Sequence, residues 1–285
     1  MKNNRTVLLL CLAAAFVLLM SVPFLTEGFG WLALLGFVPL LCMERVATEH
    51  SVKHFWWWHF GTFAAWNAVT TFWVCNATVG GGIFAILANA LQMSLVFGLF
   101  RWVKRRFAGR GSALPYLFLA AAWIAWEKYY LTVAEISWPW LVLGNAFAGT
   151  TALVQWYEYT GTLGGSLWVW ASSLSVFGLM VALSDGRFSG RWNAKARIAS
   201  VVGTVLVLFG PMVWSWVRSS RYQEVSEETV PVVIAQPDFD PYHKFGGMTH
   251  NSLSSDKSSG VIFFSDDEDG DILIAIFVWK NTDKN

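Results

Sequence analysis

The stretch Val7-Leu8-Leu9-Leu10-Cys11-Leu12-Ala13-Ala14-Ala15 follows Lys2 and Arg5 at the start of a 285-residue chain. Two different folds hang on its reading. A basic start and a short apolar run describe a secretory leader that is cut away, whereas a longer run describes a helix that stays in lipid. Here the apolar character continues to about Leu25, and a helix needs about 20 such residues to cross the hydrocarbon core. The stretch is therefore read as a retained first span. Bulky Leu10 ahead of Cys11 also argues against a lipid-modified cysteine at that position.

The rest of the chain has the same character. It is 55% hydrophobic and 14% charged, with 18 Trp and 22 Phe, whereas a soluble domain carries about a quarter charged residues. After the first segment, at about 6–25, six more qualify or nearly do: 29–43, 56–76, 80–100, 114–132, 164–184 and 198–217. The second contains Gly36 and Pro39 and is expected to be short, tilted or interrupted. The expected fold is an α-helical polytopic membrane protein with about seven transmembrane helices in residues 1–217. Cys11, Cys42 and Cys75 all lie in apolar segments, where a thiol packs as a small hydrophobe. A net charge of +1 gives no sign of a nucleic-acid partner.

Placement of charge matters more than its sum. Thirteen Lys and Arg, from Lys2 through Arg45, Lys53, the 101–110 cluster and the 187–197 connection, fall on one side of the expected spans. The first three returning loops hold only Lys128. The positive-inside rule then puts the N-terminus in the cytoplasm and, after seven crossings, residues beyond 217 on the far side. Trp56-Trp57-Trp58, Trp138 and Trp140 fit aromatic belts at the membrane surface. His50, His54 and His59 beside Glu49 lack the ligands that complete a metal set, so they read as solvated or interfacial side chains. Glu127-Lys128 ends the fifth span, where charges can snorkel to the headgroups, though intramembrane charges are often functional. No inverted repeat supports a transporter.

Beyond Val217 the character changes. Residues 218–229 read as a polar linker. Pro231-Val232-Val233-Ile234-Ala235, closed by Pro237, reads as a first strand, and a loop runs on through Lys244-Phe245 to about 249. Residues 250–285 read as a divergent tail without regular structure, holding a Ser-rich run, the acidic run 265–271 and the apolar patch 272–279. The acidic run is no calcium loop. With Gly270 at the invariant glycine, Ser265 and Ile276 occupy positions that need carboxylates.

Three linked stretches carry a more specific signal: Trp123-Ile124-Ala125-Trp126-Glu127, then Ser137-Trp138-Pro139-Trp140-Leu141-Val142-Leu143-Gly144, then Gln155-Trp156-Tyr157 leading to Gly161-Thr162-Leu163-Gly164-Gly165-Ser166. Together with Gly28-Phe29-Gly30-Trp31, Pro39 and Asn67, they resemble the membrane domain of bacterial apolipoprotein N-acyltransferases, over about residues 1–249. In that family a last span leads into a nitrilase-like α/β domain whose first strand ends in Gln, followed by a Lys-aromatic pair. Val232 to Gln236 and Lys244-Phe245 are similar, with Phe where Trp is common.

The resemblance implies a multi-pass protein of the bacterial inner membrane. It implies transfer of a fatty acyl chain from a phospholipid donor to the α-amino group of a diacylated lipoprotein cysteine, through a thioester and without a cofactor or metal. It makes Glu127, Trp138, Trp140 and Phe245 the candidate substrate-binding residues. A thiolate, a carboxylate and a cationic donor are needed for such chemistry, and the family supplies Cys, Glu and Lys. None can be assigned here: no Cys follows Cys75, Glu268 lies in the acidic run, and Lys257, Lys280 and Lys284 lack the family's surroundings. The expectation is an α/β domain entered but incomplete, resembling a frameshifted or shortened reading frame, and a chain inactive as it stands. A non-catalytic lipid- or lipoprotein-binding membrane protein is the alternative.

Overall fold

The computed structural model describes residues 2–107, 113–134, 138–222, 262–266 and 272–276. Up to Tyr222 the chain forms one unit. Among the described residues it contains seven α-helices: α1 (Lys2–Leu25), α2 (Ala33–Glu49), α3 (Phe55–Thr71), α4 (Val79–Phe107), α5 (Leu114–Thr132), α6 (Tyr157–Ser184) and α7 (Ala194–Arg221). Each expected apolar segment corresponds to one of them. Five are long and apolar enough to cross a membrane, namely α1, α2 with its preceding turn, α4, α6 and α7. Helices α3 and α5 have 17 and 19 residues. Their His59, Asn67, Glu127 and Lys128 dilute the apolar signal.

Helix α2 corrects an expectation. It is continuous to Glu49 with Pro39 inside it, and a 3₁₀ turn at Gly30–Leu32 leads into it. Gly36 serves packing: a Cβ there would lie 2.0 Å from Met20 Sδ on α1.

Lipid tails are as apolar as leucine, so a membrane bundle is held by close packing and interhelical hydrogen bonds. Aromatic rings provide much of the packing. Phe16 meets Phe37, Phe63 and Trp66 edge-on at 5.5, 5.7 and 5.6 Å, and Trp123 meets Trp170 at 5.5 Å. Such pairs contribute about 0.5–1.5 kcal/mol each beyond area burial. Trp66, Trp123 and Trp170 are thus core residues, and the surface-belt reading does not extend to them. His59 is a second correction: it is wholly buried among Phe55, Trp56, Phe63 and Phe97, not solvated. Neither ring nitrogen has a hydrogen-bond partner among the described residues.

Polar contacts between helices add to the packing. Asn89 Nδ2 of α4 donates to Asn67 Oδ1 of α3 at 2.7 Å, while Asn67 Nδ2 donates to Phe63 O at 2.9 Å within its own helix. At one end of the bundle, buried Glu44 of α2 pairs with Lys104 and, at 3.7 Å, Arg101 of α4, and accepts from Thr48 Oγ1 at 2.7 Å. Arg45 reaches Asp185, just past α6, at 2.5 Å, and this hydrogen bond holds the Asp185 carboxyl below its ordinary range. These contacts gather Arg45, Arg101, Lys104 and the 185–187 turn at the same end.

In a second unit, β1 (Ile262–Asp266) and β2 (Ile272–Ile276) pair antiparallel, Ile262 opposite Ile276 and Asp266 opposite Ile272. The tail foreseen without regular structure therefore holds these ten paired residues. The expected linker beyond Tyr222 and the strand at 232–236 lie outside the described residues.

The Asn67–Asn89 pair yields a measurable coupling. In a cycle of Asn67→Leu, Asn89→Leu and the double variant, the interaction energy should be about 0.6–1.7 kcal/mol, the range of buried interhelical hydrogen bonds in membranes. Unfolding in mixed micelles measures it, and additive losses would mean the bond contributes nothing.

Candidate functional site

Between α5 and α6 the chain passes from the partly exposed Trp138-Pro139-Trp140 into buried irregular backbone. Pro139–Leu141 forms a 3₁₀ turn, and Leu143–Leu153 forms a longer 3₁₀ run broken at Thr150 (φ −142°, ψ 45°). Leu141, Val142, Leu143, Ala146 and Phe147 are buried, and Phe147 stacks on Trp168 of α6 at 4.9 Å. Irregular backbone inside a membrane protein must find its hydrogen-bond partners within the protein.

Those partners come from neighbouring helices. Glu127 Oε1, on α5, accepts from Leu143 N at 2.9 Å and from Trp123 Nε1 at 3.2 Å. Ser166 Oγ, on α6, accepts from Gly144 N at 3.1 Å and lies beside the same Glu127 carboxyl. The Tyr157 hydroxyl donates to Gly144 O at 2.9 Å. On α7, Ser215 Oγ donates to Ala152 O and accepts from Gln155 N, both at 2.7 Å. Asn145 Nδ2 closes the first turn by donating to Pro139 O at 2.8 Å.

Two glycines make the approach possible. A Cβ on Gly144 would lie 1.9 Å from Thr162 O, and one on Gly165 would lie 1.7 Å from the Tyr157 hydroxyl oxygen and 2.9 Å from Gly144 Cα. Gly161, with φ +64° and ψ −170°, lets the chain turn from the short stretch at Tyr157 into the straight part of α6.

Of the candidate residues, Glu127 is 1% exposed. It does not snorkel to the surface; its first oxygen is occupied by two N–H donors. Trp138 is partly buried, with an indole nitrogen that has no partner among the described residues. Trp140 is 53% exposed and stands edge-on to Trp73, which is 41% exposed, at 5.2 Å. Phe245 lies outside the described residues. Sequence reading missed Asn145 and Ser215, which belong to no periodic pattern, as well as Asn89. Among the described residues no three His, Cys, Asp or Glu side chains gather to hold a metal. Ser166 is fully buried with its oxygen engaged, so it is no exposed nucleophile. The arrangement holds backbone in place and presents aromatic surface.

The Glu127 contacts separate two variants. Glu127→Gln keeps a carbonyl oxygen for Leu143 N and Trp123 Nε1 and should cost little, whereas Glu127→Ala leaves a buried N–H unpaired and should cost about 1–3 kcal/mol. Thermal unfolding in detergent checks this, with equal losses counting against the assignment.

Comparisons with known proteins show the family. Residues 14–175 match the family model of the apolipoprotein N-acyltransferase N-terminal domain. The chain is 30% identical over 232 residues to an apolipoprotein N-acyltransferase of Chlorobaculum tepidum. That similarity covers 78% of this chain and 39% of the relative, so the chain spans about two fifths of the relative's length. No solved structure matches. The matched region contains Glu127, Gly144, Tyr157, Gly165 and Ser166, the residues that seat the buried segment, and on this match the chain belongs to the apolipoprotein N-acyltransferase family.

Proposed function

We propose that this chain acts in lipoprotein N-acylation as a membrane-embedded binding part. It engages a phospholipid acyl donor and a diacylated lipoprotein acceptor at the edge of the 138–153 segment, whose 141–147 stretch is buried. The observation that carries this reading is the convergence of the family's linked residues on one junction, which holds Trp140 exposed beside Trp73. Indole rings, apolar with one polar N–H, suit the level of lipid headgroups and esters. Trp138 and Trp140 make the contact; Phe245 remains a candidate on the family resemblance alone. Glu127, buried beneath them, acts as a positioning residue.

The setting is the bacterial inner membrane, with the basic end of the bundle toward the cytoplasm and residues after 217 on the periplasmic side. Gathering of Arg45, Arg101 and Lys104 at one end supports that orientation. Acyl transfer through a thioester needs a thiolate, a base and an oxyanion donor. The 285 residues place their three cysteines at positions 11, 42 and 75, within apolar helices or the turn after α3. By themselves they are therefore read as binding without turnover, in keeping with the alternative of a non-catalytic lipid- or lipoprotein-binding protein.

A single preparation tests both parts. The chain in phospholipid nanodiscs should bind a fluorescent diacylated lipopeptide and yield no N-acylated product above a protein-free control; product above that control would refute the absence of turnover. Trp138→Ala with Trp140→Ala should weaken binding about tenfold or more, as loss of aromatic anchors does. Unchanged affinity would remove the segment from the binding site.

A further inference from the structure

A long apolar groove runs along the outside of the bundle between α1 and α3. The two helices lie parallel, Trp66 Nε1 of α3 donating to Met20 O of α1 at 3.1 Å. One wall runs from Leu10 to Leu25 and the other from Trp57 to Val69, with Ala14 and Gly61 among the small residues that leave it open. Leu10, Leu18 and Trp57 are exposed along its margins, so the groove is accessible from the bilayer.

Its dimensions select an occupant. The cavity volume is about 770 Å³. At 1.5 Å per residue the walls run for roughly 20 Å, which leaves a cross-section of about 40 Å². A helix with its side chains is about 10–12 Å across, or about 80–110 Å² in section, and is too wide. An extended hydrocarbon chain has a van der Waals thickness of about 4 Å and fits. One leaflet of a bilayer core is about 15 Å deep, so the groove accepts a lipid tail along its full length.

Charge orients that lipid. Beyond Leu10 lies Arg5, about one and a half turns further along α1, and Lys53 and His54 immediately precede α3. Past Leu25, at the other end, the nearest charged residue along the chain is Glu27. An anionic phosphate is favoured at the first end and disfavoured at the second.

We propose that the groove retains one phospholipid, its acyl chain between α1 and α3 and its phosphate toward Arg5 and Lys53. This site is separate from the Trp138–Trp140 edge and stands whether or not that edge binds substrate.

Gly61 offers a direct test, because a Cβ added there meets nothing within 4 Å, so Gly61→Phe fills the groove without a backbone clash. Gly178 on α6 is exposed and equally open, and Gly178→Phe is the matched control. The protein is loaded with phosphatidylglycerol in micelles and examined by native mass spectrometry. Wild type and Gly178→Phe should retain one lipid, and Gly61→Phe should lose about tenfold or more of that occupancy. Ala14→Leu, from the opposite wall, repeats the test should Gly61→Phe fail to fold, as read by thermal unfolding. Arg5→Gln with Lys53→Gln should reduce phosphatidylglycerol retention more than phosphatidylcholine retention. Equal occupancy in wild type and a folded groove-filling variant would overturn the proposal. So would a dimer that the groove-filling variant dissolves, since it assigns the groove to a second copy.

Discussion

The backbone of residues 141–147 lies inside the bundle without the hydrogen-bond ladder of an α-helix, and much of the structure follows from that constraint. Each unpaired amide or carbonyl in a lipid-embedded fold costs several kcal/mol. The protein meets the requirement with side chains from three helices: Glu127 from α5, Tyr157 and Ser166 from α6, and Ser215 from α7. These residues therefore set the mutual positions of the helices as well as the course of the segment.

The glycines belong to the same solution. For Ser166 to reach Gly144 N, α6 must come within backbone contact of the segment, and Gly144 facing Gly165 permits it. Gly161 supplies the positive φ that brings α6 in at the required angle. The residues that carry the family resemblance are in this light mainly architectural. In the proposed reading, binding falls to what they hold at the edge, the exposed Trp140 beside Trp73. A buried carboxylate near a membrane surface invites a catalytic or transport reading, yet the donors around Glu127 give it a structural task that accounts for its burial.

Elsewhere the bundle separates its chemistry by position. At one end Glu44 and Asp185 receive cations from α4 and α2, and near the start of α6 Glu158 receives Arg218 of α7. The interior between holds aromatic edges, the amide pair Asn67–Asn89 and bonds from Trp66 and Ser173 to backbone carbonyls of α1 and α2. The outer side between α1 and α3 is left open, with Ala13, Ala14, Gly61 and Ala65 set among larger Leu, Val and Trp side chains. Small residues at a helix pair usually draw the backbones together. Here they form the floor of a groove narrower than a helix, which gives the surface a shape matched to lipid tails.

Apolar run length was enough, by itself, to locate all seven helices, because a helix in lipid must satisfy its backbone locally and announces itself by composition. The linked Glu127, Pro139-Trp140 and Gly165-Ser166 stretches likewise pointed to the family before any contact was known. Sequence could not distinguish a core tryptophan from a surface one, since Trp123 and Trp140 read alike; only packing put the first against Trp170 and left the second exposed. Nor could it show that His59 is enclosed by rings, that Pro39 lies within an unbroken helix, or that the 141–147 stretch of the α5–α6 connection is buried. Those outcomes depend on partners distant in the chain, Ser215 with Ala152 and Asn67 with Asn89 among them. Local pattern decides where a backbone can be helical; pairing across the bundle decides which polar side chains support the fold and which surfaces remain free to bind.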